Sequence, residues 1–175
     1  PDGTAGIVKT KQSEYAERLH LLERAGKQGL GKAYIAGFRW ALEHGYEYIS
    51  EMDCDFSHPV DKLVELNNAV ISGRADVAIG SRYTEGGSVK NWPLSRIAIS
   101  YGASLYVRLI TGFPVKDSTA GFVCYHRSVL ESIDLSRIRF HGYAFQIEMK
   151  YAAYCLGFQL LEVPITFEDR VLGTS

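Results

Sequence analysis

Asp53 and Asp55 stand one residue apart at the end of the mostly apolar run Tyr46 to Met52, and Pro59 closes the segment shortly after. Two hard oxygen donors so spaced suit a Mg²⁺ or Mn²⁺ ion that itself carries phosphate oxygens. Residues i and i+2 of an extended chain share a side, so the two carboxylates can face one cleft while Cys54 points away. The competing reading is a pair of turn or helix-capping aspartates ahead of the helix that opens near Pro59. A second carboxylate, Glu148, shares a helical face with Ala144, Tyr151, Ala152 and Cys155. A carboxylate on so apolar a stripe needs either a partner or a task, so a site role and a structural ion pair both remain open. Gln146 lies about 200° from Glu148 on an ideal helix, so an undistorted helix sends the two in different directions.

The stretch Gly26-Lys27-Gln28-Gly29-Leu30-Gly31-Lys32-Ala33 also invites a chemical reading, because it nearly spells a phosphate-binding P-loop. That motif needs Ser or Thr after its lysine to hold Mg²⁺, and Ala33 stands there. A nucleoside triphosphatase is thus the alternative from a different class, and a plain glycine turn capping a helix is the bland one.

These residues need a scaffold, and the sequence supplies alternating strand and helix signals. Arg18 to Arg24 reads as a short strand, Lys32 to His44 as a helix with Tyr34, Ile35, Phe38 and Leu42 on one side, and Tyr46 to Met52 as a strand. A helix from Val60 to Ser72 carries Leu63, Leu66 and Val70 at helical spacing, and Gly73 ends it before a strand from Asp76 to Gly80. Ser81 to Pro93 has Gly86, Gly87 and no apolar period, which predicts a mobile lid loop. Helix 95–111, strand 121–126, helix 143–156 and strand 159–167 complete an α/β fold, with a mostly parallel sheet covered by helices on both faces. Ligands of such sheets collect at the carboxyl ends of the strands, where Asp53 and Asp55 fall.

With 175 residues, 46% of them hydrophobic, and a net charge of −1, the chain fits one soluble domain with a real core and not a nucleic-acid binder. No apolar stretch approaches the roughly 18 residues that span a bilayer. Cys54, Cys124 and Cys155 are odd in number, lack C-x-x-C spacing and sit in or beside apolar runs, which favours reduced, packed thiols. Cys54 with His58 makes no zinc site without a second pair. Both ends read as cut, with a strand expected before Pro1-Asp2-Gly3-Thr4 and a polar loop at Ser175, so that residues 1–175 form one catalytic domain in fragment.

Seven motifs in order carry a resemblance. Pro1-Asp2-Gly3-Thr4, Gly29-Leu30-Gly31, Asp53 to Pro59, Gly80-Ser81-Arg82-Tyr83, Asp117 to Phe122, Gln146-Ile147-Glu148 and Asp169-Arg170 with Gly173 and Ser175 resemble the dolichol-phosphate (polyprenol-phosphate) mannosyltransferases. These are inverting family 2 glycosyltransferases with the Rossmann-like GT-A fold. The resemblance implies GDP-mannose or another nucleotide sugar as donor, a polyprenyl or dolichyl phosphate acceptor, Mg²⁺ or Mn²⁺, and a cytoplasmic place at the inner face of a membrane. It implies Asp53 and Asp55 as metal ligands with Ser57 as a lesser contact, since Ser57 stands where relatives often carry a longer Gln. It implies Asp2, Gly29, Gly31, Lys32, Asp53, Arg96, Ser100 and Gln146 as substrate-binding, and Asp55, Arg82, Arg170 and Glu148 as catalytic. Arg82, Arg96 and Arg170 match phosphate-binding positions, a task that suits the permanently charged, bidentate guanidinium. Transfer of glucose, N-acetylhexosamine or another sugar to a polyprenyl phosphate or a saccharide is the alternative within the class. Helix 95–111 has apolar surface enough to line a lipid groove or simply to pack in the core.

Overall fold

The computed structural model of the chain describes residues 3–26, 29–140 and 142–169. After helix α1 (Thr4–Gln12), α2 (Leu30–Glu43) leads into strand β1 (Tyr48–Glu51), and α3 (Val60–Ile71) into β2 (Val77–Ser81). A short strand β3 (Ser88–Lys90) precedes the 18-residue helix α4 (Leu94–Thr111). Then follow β4 (Val123–His126), α5 (Arg127–Ser132), α6 (Tyr143–Cys155), β5 (Leu160–Pro164) and β6 (Thr166–Glu168).

The central sheet runs β1-β4-β2-β5. Strands β1, β2 and β5 share one direction, as an α/β pattern predicts, but β4 is inserted between β1 and β2 and pairs antiparallel with both. The expectation of a mostly parallel sheet therefore holds for strand direction and fails for pairing, which is mixed. β4 is followed directly by α5, whose N-cap His126 accepts from Ser128 N–H through its ring, so no crossover helix returns the chain to a parallel partner.

Alternation along the strands divides the core in two. Val77, Ile79, Val123 and Tyr125 point to one face and meet Phe38 of α2, Val129 and Leu130 of α5, and Phe145 and Met149 of α6. Ala78, Phe122 and Cys124 point to the other and meet Leu66, Ala69 and Val70 of α3. Each large side chain so buried contributes about 1.5–3 kcal/mol, which fixes the register against a one-residue slip. Helices do cover both faces.

Three local expectations are corrected. Residues 19–24 form no strand, since β pairing there has no partner among the described residues; Leu19 N–H instead closes a turn on Tyr15 O. The strand expected over 159–167 breaks at Ile165, whose N–H binds Ser81 O while its C=O accepts from Ser88 N–H. That break sends β6 into a separate parallel ribbon with β3, so the segment 81–93 carries a short strand of its own where the sequence predicted only loop. Gly87 is tight there: a Cβ would lie 2.6 Å from Ser81 O and 2.7 Å from Arg82 O.

Candidate active site

A pocket of about 620 Å³ opens at one edge of the sheet, a size suited to a substantial small-molecule ligand. Its walls come from the segments after β1 (Asp53 to His58), after β2 (Arg82) and after β5 (Ile165 to Asp169), and from residues 119–121 ahead of β4. The reversal of β4 explains the last contribution: in an antiparallel insert, the amino end lies where its neighbours' carboxyl ends lie.

Past Glu51 the chain leaves the strand and winds so tightly that Phe56 takes φ 63 and stands 93% exposed. The two aspartates therefore share the pocket through a loop and not through strand alternation. Asp55 accepts from both the backbone N–H and the hydroxyl of Ser57. Asp53 accepts from the Tyr34 hydroxyl at 2.9 Å. Burial, reinforced by the Glu51 and Asp53 carboxylates, raises Tyr34 above the ordinary phenol range, so it remains a donor. Ser57 is buried with its hydroxyl turned to Asp55, an arrangement that aims the carboxylate and leaves the serine little reach of its own. Among the described residues no three His, Cys, Asp or Glu converge as a cage. Two carboxylates on an open pocket fit a Mg²⁺ or Mn²⁺ ion that keeps waters and takes its remaining oxygens from a diphosphate.

Arg82 enters the pocket already engaged. Its Nε and Nη2 reach the two carboxylate oxygens of Asp117 at 2.7 and 2.6 Å, and Nη2 also reaches Thr119 at 2.9 Å. Trp92, Tyr83 and Phe167 rings stand 5.2–5.7 Å from its guanidinium carbon. Asp117 is fully buried and its N–H binds Glu162. Arg96 is looser: it stacks on Trp92 at 4.0 Å and donates to Asp169 at 2.8 Å, with both partners substantially exposed. His58 is buried between the rings of Phe122 and Phe167, 5.1 Å from each, and its Nδ1 has no hydrogen-bond partner. Burial lowers its pKa and holds it neutral.

Asp53, Asp55, Ser57, Arg82, Arg96, Ser100 and Gln146 thus line one pocket. Others are elsewhere. Glu148 borders a separate open groove with Arg137, Tyr151 and Cys155 and accepts from the N–H groups of Arg139 and Phe140 at 3.0 Å. α6 is regular, so the ideal separation of Gln146 from Glu148 holds and only Gln146 reaches the pocket. Gly29 caps α2 at φ 91, and Gly31 serves packing, because a Cβ there would meet the Phe145 ring at 2.8 Å. Lys32 is exposed outside the pocket lining. With no strand ahead of that turn among the described residues, the P-loop reading lacks its frame. Asp2 and Arg170 lie outside the described residues. Sequence reasoning gave no site role to Tyr34 or His58, and it read Trp92 only as an aromatic contact for a lipid phosphate and Asp169 only as part of the closing motif; Tyr34 carries no motif of its own, and His58 was legible only as part of its run.

A mixed sheet with helices on both faces and two aspartates at its ligand edge is an α/β fold with a polar pocket where strands end. The model of glycosyl transferase family 2 matches residues 1–134, and the chain belongs to this family. It is 47% identical over all 175 residues to the polyprenol monophosphomannose synthase of Mycolicibacterium smegmatis and to the undecaprenyl-phosphate mannosyltransferase of Micrococcus luteus, spanning 66% and 71% of their lengths. Among solved structures, glucosyl-3-phosphoglycerate synthase from Mycobacterium tuberculosis in complex with uridine diphosphate superposes over 95% of this chain and 57% of that one, with a TM-score of 0.62 at 13% identity. That likeness bears on the fold, which is of the GT-A type.

Proposed function

We propose that this chain is the catalytic part of a metal-dependent, inverting mannosyltransferase that moves mannose from GDP-mannose to a polyprenyl phosphate. The observation that carries the reading is the 47% identity, without interruption of coverage, to two relatives named for polyprenyl-phosphate mannose transfer. The pocket supports it with paired carboxylates, two arginines and a wall of α4.

In this reading Asp53 and Asp55 hold the divalent ion, with Ser57 keeping Asp55 in aim. When bound, the ion supplies charge neutralisation to the departing diphosphate. A related structure was solved with Mn²⁺ and UDP-glucose, which supports a divalent ion in general. Arg96 is the cation free to exchange Asp169 for a phosphate, while Arg82, neutralised by Asp117, shapes the wall; Arg170 is assigned phosphate binding by its motif. An oxygen of the acceptor phosphate attacks the anomeric carbon from the side opposite the nucleotide. The bond from that carbon to the diphosphate oxygen breaks, and its electron pair leaves with the diphosphate. A phosphate monoester is largely a dianion at neutral pH, its second pKa being near 6, so no side chain has to remove a proton. That absence of a base agrees with Glu148 standing outside the pocket.

α4 gives the acceptor a place to lie. Of its 18 residues only Ser104 is buried, and its only charges are Arg96 and Arg108. Leu94, Ile99, Tyr101, Tyr106, Leu109 and Ile110 are exposed, and Ile99, Ser100 and Ala103 run into the pocket. An apolar, cationic helix continuous with a phosphate pocket suits the surface of an anionic membrane, at its cytoplasmic face. No helix among the described residues is long and apolar enough to cross a membrane. The test is incubation of the full-length protein with undecaprenyl phosphate and, separately, GDP-mannose, UDP-glucose and UDP-N-acetylglucosamine. Lipid-linked mannose from GDP-mannose is expected; transfer of another sugar, or to a saccharide alone, overturns the reading.

A further inference from the structure

One hydrogen bond at the pocket has no part yet in the proposed chemistry. Asp53 stands exposed on the loop after β1, and among the described residues its carboxylate has a single donor, the Tyr34 hydroxyl, 2.9 Å from Oδ1. Asp55 is held on its own Oδ1 by the backbone N–H and the hydroxyl of Ser57. The two donors differ in what carries them. Ser57 belongs to the loop that it steadies, whereas Tyr34 comes from the second turn of α2, 19 residues earlier than Asp53.

The core fixes where that hydroxyl stands. The Tyr34 ring stacks on Phe145 of α6 at 5.9 Å and 6° and on Phe38 of α2 at 6.3 Å and 25°, and both partners are buried. α2 lies close enough to α6 for this stack because Gly31, one turn earlier, presents no Cβ to the Phe145 ring. Burial first, and then the carboxylates of Glu51, Asp53 and Asp55, raise the pKa of the phenol, so Tyr34 donates at any working pH. Its donation occupies Oδ1 and leaves Oδ2, which no donor among the described residues reaches, for another partner. An exposed aspartate gives up rotamer freedom when it binds an ion, and a carboxylate already held has less to give up. A hydrogen bond also draws charge from the carboxylate and so weakens its pull on a cation. Orientation outweighs that loss at metal sites, where removing the partner of a ligating group costs roughly 10–100-fold in affinity.

We infer that Tyr34 is a positioning residue: its hydroxyl holds the Asp53 carboxylate in the orientation that receives a divalent cation. The inference rests on the reading of Asp53 and Asp55 as the holders of the ion, and not on which nucleotide sugar is the donor. Tyr34 lines the pocket, yet in this role it touches neither ion nor sugar and acts through Asp53 alone. The aspartate loop is thereby tied to the helical core as well as to its own Ser57.

The test has two arms. Tyr34→Phe removes the hydroxyl and keeps both ring stacks, so the fold is retained, which near-ultraviolet circular dichroism of the chelated protein checks. In the first arm, Mn²⁺ binding to the full-length protein is followed by electron paramagnetic resonance of the free ion, with and without GDP. The native chain is expected to bind the ion, and Tyr34→Phe to bind it about tenfold more weakly. Equal or tighter binding in Tyr34→Phe overturns the inference and leaves the metal reading standing. A native chain that binds no Mn²⁺ in either condition overturns the metal reading and the inference with it. The second arm is transfer from GDP-mannose to undecaprenyl phosphate across a Mn²⁺ titration. The Mn²⁺ concentration giving half-maximal rate should rise about tenfold in Tyr34→Phe, while the rate at saturating Mn²⁺ stays within about threefold of the native one. A rate that remains low at saturating Mn²⁺, with the affinity for the ion unchanged, gives the hydroxyl to the substrate and overturns the inference. Absence of transfer by the native chain refutes the donor reading alone, and the binding arm then decides on Tyr34.

Discussion

Asp55 is the residue on which the proposed chemistry leans hardest, because both the backbone N–H and the hydroxyl of Ser57 are directed at it. Asp55→Ala is expected to abolish metal-stimulated transfer while shifting the melting temperature little, since the side chain lies on a loop and leaves no core cavity; turnover near the native value at saturating Mg²⁺ would remove it from the metal site. Glu51 and Lys150, both buried, form a pair that makes a prediction about pH. Burial raises Glu51 from its ordinary 4.5 to about 8, so the folded chain binds the extra proton across that window and stability falls as pH rises from about 5 to 8. Lys150, lowered by burial to about 8, works in the opposite sense above that pH, where the unfolded chain binds more protons. The melting temperature of the native chain relative to Glu51→Gln, measured in chelator so that the opposite contribution of His58 cancels, should therefore decline from pH 5 to 8; a relative rise over that range would contradict this account of the pair. The two aspartates were legible in the sequence because a strand end followed by hard ligands is a local signal. The engagement of Arg82 by Asp117 was not, since it joins positions 35 residues apart through the fold.

At the scale of elements, the closeness of α2 to α6 is what glycine at 31 permits. Gly31→Ala should destabilise by about 1–3 kcal/mol, the usual cost of overpacking, because the new methyl meets the Phe145 ring and the Phe140 carbonyl; an unchanged denaturation midpoint would mean that the helices have room. α4 predicts the reverse pattern. Leu109→Glu with Ile110→Glu changes two exposed positions, so stability should hold within about 0.5 kcal/mol while sedimentation with anionic vesicles drops severalfold. Equal sedimentation would assign membrane contact elsewhere. Long helices such as α3 and α6 were readable from their apolar spacing, as was the strand at Val77. The short elements were not: β3 and β6 are three residues each and exist through pairing with one another, a tertiary cause with no local trace. The supposed strand over 18–24 shows the converse, an apolar run that finds no partner strand among the described residues.

At the scale of the molecule, a reversed strand in the middle of the sheet gathers four segments at one edge, and the pocket sits where they meet. The alternation of elements announced an α/β fold, yet strand order and the direction of β4 depend on long-range pairing that periodicity does not encode. The ordered motifs carried the family where physics from spacing alone stopped at a metal and phosphate site. The central claim is a single displacement at the anomeric carbon by a lipid phosphate, and the configuration of the product tests it most directly. With GDP-α-D-mannose and undecaprenyl phosphate, NMR of the purified lipid product should show the β-linked mannosyl phosphate. An α-linked product, or mannose found only on a saccharide and never on the lipid, would contradict the account.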